Sequence, residues 1–188
     1  MTSLIRLELA VTGLAFMVLF TMACRRKAIA NPPPTTSVTP VEEASEQPDQ
    51  VNTAGWDRAW TNLVNDVEQG FTPSLPRLTA VEVELVVGNP GAKADDLTLS
   101  VLDSTGQVLA VATQSVSSAN PDRVMFQFAR GGIEVTPGQI YRLRLSGGLM
   151  FGWKYVVGGY KNGEATFNGK PLLAQSRSTF LFRTFGSQ

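Results

Sequence analysis

Beyond residue 67, apolar side chains recur at every second position, and Gly- or Pro-bearing segments cut the alternation into short runs. A period of two is the signature of a strand, whose successive side chains point to opposite faces. In the first run Val81, Val83, Leu85 and Val87 share one face, with Glu82 and Glu84 on the other. Gly88-Asn89-Pro90-Gly91 ends it. Leu97, Leu99 and Val101 repeat the pattern, Asp103-Ser104-Thr105-Gly106 turns, and 108–116 returns as the second arm of a hairpin. Further strands are predicted over 124–128, 140–145, 151–157, 164–167 and 178–185. Asn162-Gly163 and Asn168-Gly169 are tight-turn dipeptides. About eight or nine short strands without an internal helix predict an all-β protein, an antiparallel β-sandwich of jelly-roll type.

The residue inventory then narrows the chemistry. In 188 residues there is no His and one Cys. Without His, the commonest general base near neutral pH is missing, together with Ser-His-Asp and Cys-His activation and imidazole metal ligands. One Cys allows neither an intrachain disulfide nor a thiolate cluster. Sixteen basic and 16 acidic residues balance, which argues against a nucleic-acid partner. Paired carboxylates and hard-cation sites are what remain.

The N-terminus reads as export and attachment. Residues 9–23 are apolar or small and carry no charge, the length of a signal-peptide apolar region and short of a bilayer span. Cys24 follows the small Ala23. This junction resembles the lipobox of bacterial lipoprotein signal peptides. The resemblance implies that Cys24 is acylated and becomes the new N-terminus, placing the protein on the extracytoplasmic side of a membrane. A lipid chain and the adjoining Arg25-Arg26-Lys27 would give two anchoring signals, as stable attachment requires. The alternative is an uncleaved N-terminal membrane helix with Cys24 incidental. Residues 25–55 read as a disordered tether, rich in Pro and poor in large apolar residues. The domain proper is then 56–188. Trp56, Trp60, Leu63, Val64 and Val67 fall at helical spacing, which suggests a short helix or irregular cap before the first strand.

The segments Gln69-Gly70-Phe71-Thr72-Pro73, Val135-Thr136-Pro137-Gly138-Gln139-Ile140-Tyr141 and Phe180-Leu181-Phe182-Arg183-Thr184-Phe185-Gly186 give the body its character. Together with the strands between them it resembles jelly-roll modules of exported bacterial proteins, similar in layout to carbohydrate-binding and galactose-binding-like domains. Such strand-and-turn motifs specify fold rather than ligand.

Three groups of residues are candidate sites. Trp153, Tyr155 and Tyr160 form the densest aromatic group, and aromatic rings stack on the apolar faces of sugars. Trp153 and Tyr155 share a strand face with Val157, which alternatively faces the core, whereas Tyr160 sits among glycines and is expected to be the most exposed. Asp95 and Asp96, near Asn89, offer oxygen ligands for a structural Ca²⁺, with an ordinary turn as the alternative. Arg142 and Arg144 share one face, either a cationic patch or a solvated strand face opposite Glu82 and Glu84. No carboxylate pair stands out as flanking a cleft. The expectation is a non-enzymatic, membrane-anchored binding module for a glycan or envelope polymer, needing no cofactor. The alternative is a structural lipoprotein that contacts another envelope protein.

Overall fold

The computed structural model describes residues 46–55, 59–64, 66–89, 91, 94–119, 122–174 and 176–188. Cys24, the apolar N-terminal segment, most of the Pro-rich stretch and Trp56 lie outside the described residues.

Two antiparallel sheets form a sandwich, compatible with a jelly-roll layout. The first sheet contains β1 (Gln47–Asn52), β2 (Ala59–Asn62), β4 (Arg77–Val87), β7 (Arg123–Gln127), β8 (Ile133–Glu134), β10 (Phe151–Val157), β13 (Ser178–Phe180) and β14 (Phe182–Ser187). The second contains β3 (Val67–Phe71), β5 (Ala94–Leu102), β6 (Val108–Ser117), β9 (Tyr141–Ser146), β11 (Ala165–Phe167) and β12 (Lys170–Pro171), in the order β12-β11-β3-β9-β5-β6. The predicted parity holds on β4 and β5. Val81, Val83, Leu85, Leu97, Leu99 and Val101 are all buried, and they meet Phe71, Leu143, Phe126, Trp153, Phe180 and Phe182 in one core.

Three elements depart from the expectations. β1 lies inside the expected tether, yet it pairs with β14, and the Asn52 amide donates to Phe180 O and Thr179 Oγ1 in buried surroundings. The folded body therefore begins before residue 56. The helical spacing of Trp60, Leu63 and Val64 is realised as strand β2 followed by a bend. Backbone pairing of β2 with β10 supplies the hydrogen bonds of this segment instead. The last run, expected as one strand, divides at Leu181. There its N–H donates to Lys154 O (2.9 Å), while its carbonyl accepts from Glu84 N–H (3.2 Å) and the Trp153 indole N–H (2.9 Å). Leu181 thus marks where the chain leaves β10 for β4, so one run serves two partners.

The tight-turn dipeptides behave differently from each other. Asn168 and Gly169 both have positive φ (51° and 71°) and close the β11–β12 hairpin, as such a dipeptide favours. Gly163 has no positive φ and is needed for proximity instead. A Cβ there would lie 1.7 Å from Gly70 O.

Candidate functional site

On β3 the inward parity belongs to Val67, Gln69 and Phe71, which turns Glu68 and Gly70 to the outer face of the second sheet. On β9 the same rule buries Tyr141, Leu143 and Leu145 and turns Arg142 and Arg144 outward. Register then sets Glu68 opposite Arg144 and Gly70 opposite Arg142. Glu68 Oε1 lies 2.7 Å from Arg144 Nε and Nη2, and Oε2 lies 3.3 Å from Arg142 Nη1. The carboxylate is buried while both guanidinium groups reach solvent. The expected partners Glu82 and Glu84 are on the other sheet, where Arg183 takes Glu82 (3.1 Å) and Arg123 lies 3.7 Å from Glu84. Sequence parity identified the two arginine faces. Only strand order could name the acid opposite them.

Beside this cluster opens a trough of about 600 Å³, lined by Glu68, Gly70, Thr72, Ile140 and Arg142 on one side and by residues 161–164, Thr166 and Arg177 on the other. Its wall is latched in place. Thr72 Oγ1 donates to Asn162 O (3.0 Å), and the Arg177 guanidinium donates to Lys161 O and to Gly163 O (3.0 Å). Gly70 N–H donates to Glu164 O (2.9 Å), which continues the β3–β11 ladder into the loop. Most lining residues are polar or charged, but the surface they present to the trough is predominantly apolar, with Ile140 as its one large aliphatic side chain. Such a surface suits a ligand with an apolar face and a few groups that hydrogen-bond at its rim.

The aromatic candidates do not line this trough. Trp153 is 0% exposed and stacks on Phe180 at 4.4 Å, leaving no ring face for a ligand. Tyr155 is half-buried, edge-on to the same Phe180. The expectation that Tyr160 is the most exposed of the three is corrected. It is 8% exposed and packs against Phe182 at 5.2 Å. Its hydroxyl accepts from Thr72 N–H (3.2 Å) and donates to Gln50 Oε1 (2.8 Å), and burial raises its pKa. A loop tyrosine is withdrawn here because β1, missing from the sequence-based prediction, supplies its partner. Tyr160 acts next to the trough by holding Thr72, not by touching its contents.

Among the described residues the exposed aromatic is Trp60, at 40%. Its ring lies over Gly152 and Gly88, where a Cβ would come to 2.0 Å and 3.1 Å from ring atoms. Leu149, also exposed, meets the same Gly88 through its carbonyl. The signal available in the sequence was glycine inside a predicted strand, which marks a close approach.

Asp95 and Asp96 do not converge. Adjacent in β5, they point to opposite faces. Asp95 Oδ2 accepts from Gly148 N–H (2.9 Å) and its Oδ1 from Asp96 N–H (3.0 Å), so its oxygens fasten the loop between β9 and β10. Among the described residues no three acidic or thiol side chains group as a metal site. Glu68 and Glu84, the buried acids among the described residues, lie on different sheets. The chain matches no protein-family model. Comparison with curated proteins finds no relative.

Proposed function

We propose that this protein is a non-catalytic binding module, held at the extracytoplasmic face of a membrane by its N-terminus, that takes a hydroxyl-rich envelope polymer such as a glycan into the trough beside Glu68. The observation that carries this reading is the lining of that trough. Arg142, Lys161 and Asn162 bring donors and the Glu164 side chain brings an acceptor, around a surface that is mostly apolar and includes Ile140. Sugar hydroxyls both donate and accept, and their ring faces are weakly apolar, so they match such a surface. Glu68 is engaged by two arginines, which suits a fixed wall better than a proton-transfer group.

Soluble cell-wall glycan fragments titrated calorimetrically into the full chain test this. Lys161→Ala and Glu164→Ala, both at exposed positions, are expected to weaken binding about tenfold each, or about 1.4 kcal/mol, while Trp60→Ala leaves it unchanged. Absence of binding across the fragment panel sinks the reading.

A second reading, an assembly lipoprotein that contacts another envelope protein, is favoured by Trp60, which stays exposed while lying over Gly88 and Gly152. An exposed tryptophan is a typical anchor of protein contacts. It predicts co-purification of an envelope protein that Trp60→Ala abolishes and Lys161→Ala preserves.

A further inference from the structure

The trough does not end at its far wall. Past Glu164 and Arg177 lies a second depression of about 330 Å³, lined by Glu164, Pro171, Leu173, Ala174, Ser176 and Arg177. Glu164 and Arg177 line both hollows, so they form a ridge shared between them. The fold fixes that ridge through its backbone. Where the β11–β12 hairpin ends, Leu172 N–H donates to Ala165 O (3.0 Å). Directly before β13, the Arg177 carbonyl accepts from Gly158 N–H (2.7 Å), and its Nη2 donates to Lys161 O and Gly163 O. The Glu164 carbonyl accepts from Gly70 N–H (2.9 Å). Both ridge side chains belong to exposed residues. Among the described residues the Glu164 carboxylate has no partner, and neither have Nε and Nη1 of Arg177. The two hollows differ in character, since the trough presents mostly apolar surface and the second depression mostly polar surface.

We propose, building on the trough as a polymer site, that the second depression is a further subsite and that the occupant is an uncharged, hydroxyl-bearing chain lying across the ridge. One unit sits in the trough, and a later unit of the same chain meets Leu173, Ala174 and Ser176. Charge selects this occupant. A carboxylate and a guanidinium on one ridge, not paired to each other, offer an acceptor and a donor, and a hydroxyl both donates and accepts. A polyanion would set its charge against Glu164, and a polycation against Arg142, Lys161 and Arg177. A short ligand fills the trough alone, and only a longer chain brings the second hollow into use. Once one unit is seated, the next is held at high effective concentration, so the second subsite adds affinity without capturing a separate molecule.

The test titrates the full chain, in detergent micelles, with neutral N-acetylglucosamine oligomers from disaccharide to hexasaccharide. Galacturonic acid oligomers of the same lengths are titrated in parallel. Affinity for the neutral series is expected to rise about tenfold or more from its shortest member to its longest, and the acidic series to bind more weakly at every length. Ala174→Trp, at an exposed position in the second depression, should remove the gain with length and leave disaccharide binding and the melting temperature unchanged. Lys161→Ala should weaken all lengths by the same factor. Equal affinity for disaccharide and hexasaccharide overturns the second subsite and leaves the trough site standing. So does a gain with length that Ala174→Trp preserves. Acidic oligomers that bind as tightly as neutral ones overturn the selection by charge. If cell-wall fragments bind and neither series does, an uncharged chain is not the occupant. Failure of both series and of the cell-wall fragments removes the trough site itself, and the second subsite with it.

Discussion

At the scale of single residues, burial decides which polar groups help and which cost. Glu84 is buried on the outer side of β4, and its Oε1 has no hydrogen-bond partner. Burial raises its pKa, and the nearby Lys154 and Arg123 offset part of the rise. A carboxyl whose folded pKa exceeds its unfolded value makes the folded state the better proton binder, so stability falls as pH climbs above the ordinary carboxylate range. Glu84→Gln is therefore expected to raise the melting temperature at pH 7, with the gain disappearing below about pH 4.5. Melting curves across that range decide it, and a loss at pH 7 would show that the cations outweigh desolvation. Glu68 is the opposite case, with two arginines supplying short contacts to a buried carboxylate. Glu68→Gln should destabilise by about 1–3 kcal/mol, the scale of hydrogen bonds to charged groups, measurable by urea unfolding. Gly163→Ala forces a methyl group onto Gly70 O. It should cost about 1–3 kcal/mol, the range for overpacking, and loosen the trough wall.

At the scale of elements, strands are tied across the sandwich by a few buried polar links. Gln69 on β3 accepts from Phe180 N–H (2.6 Å) on β13, joining one sheet to the other. Tyr160 links the loop after β10 to β1 and to the end of β3. Tyr160→Phe keeps the ring against Phe182 and removes only the hydroxyl. It should cost about 1–2 kcal/mol and raise hydrogen exchange at Thr72, whose amide loses its acceptor. An unchanged Thr72 exchange rate would separate Tyr160 from the trough. The hairpin between β5 and β6 is closed differently, by Asp103 Oδ1 accepting from Thr105 Oγ1 (2.7 Å), Thr105 N–H (2.8 Å) and Gln107 N–H (3.0 Å). The hydrogen bond from the Thr105 hydroxyl is the main cause holding that carboxyl below its ordinary pKa.

At the scale of the whole molecule, the order of pairing makes the chain's far ends interdependent. β14 lies between β1 and β4, so residues 47–52 and 77–87 both wait on 182–187. Long-range pairing of this kind must offset loop-closure entropy before it gains contacts, which slows folding to about milliseconds to seconds. Deleting residues 182–188 is expected to abolish the cooperative unfolding transition, because a central strand is lost. Deleting 46–52 removes an outer strand and should leave a folded but less stable domain. Calorimetry of the two truncations distinguishes them, and a cooperative transition in the first would refute the ordering.

The alternation of apolar residues determined that this chain is a β-sandwich and which faces of β4, β5 and β9 are buried, because a strand's parity is a local property of its own residues. Turn dipeptides likewise announced the ends of most strands, and the close of the β11–β12 hairpin. The site was only partly legible. Arg142 and Arg144 could be placed on one face, but their acid could not be named, since Glu68, Glu82 and Glu84 have the same parity credentials. Trp153 and Tyr160 carried the chemistry of a sugar platform and became core and latch, while Trp60 stayed in the open on two glycines. Which strand lies beside which is set by packing among residues more than a hundred positions apart, as between Gln50 and Thr184. No local pattern encodes that adjacency, so it was the tertiary structure that decided the trough and its wall.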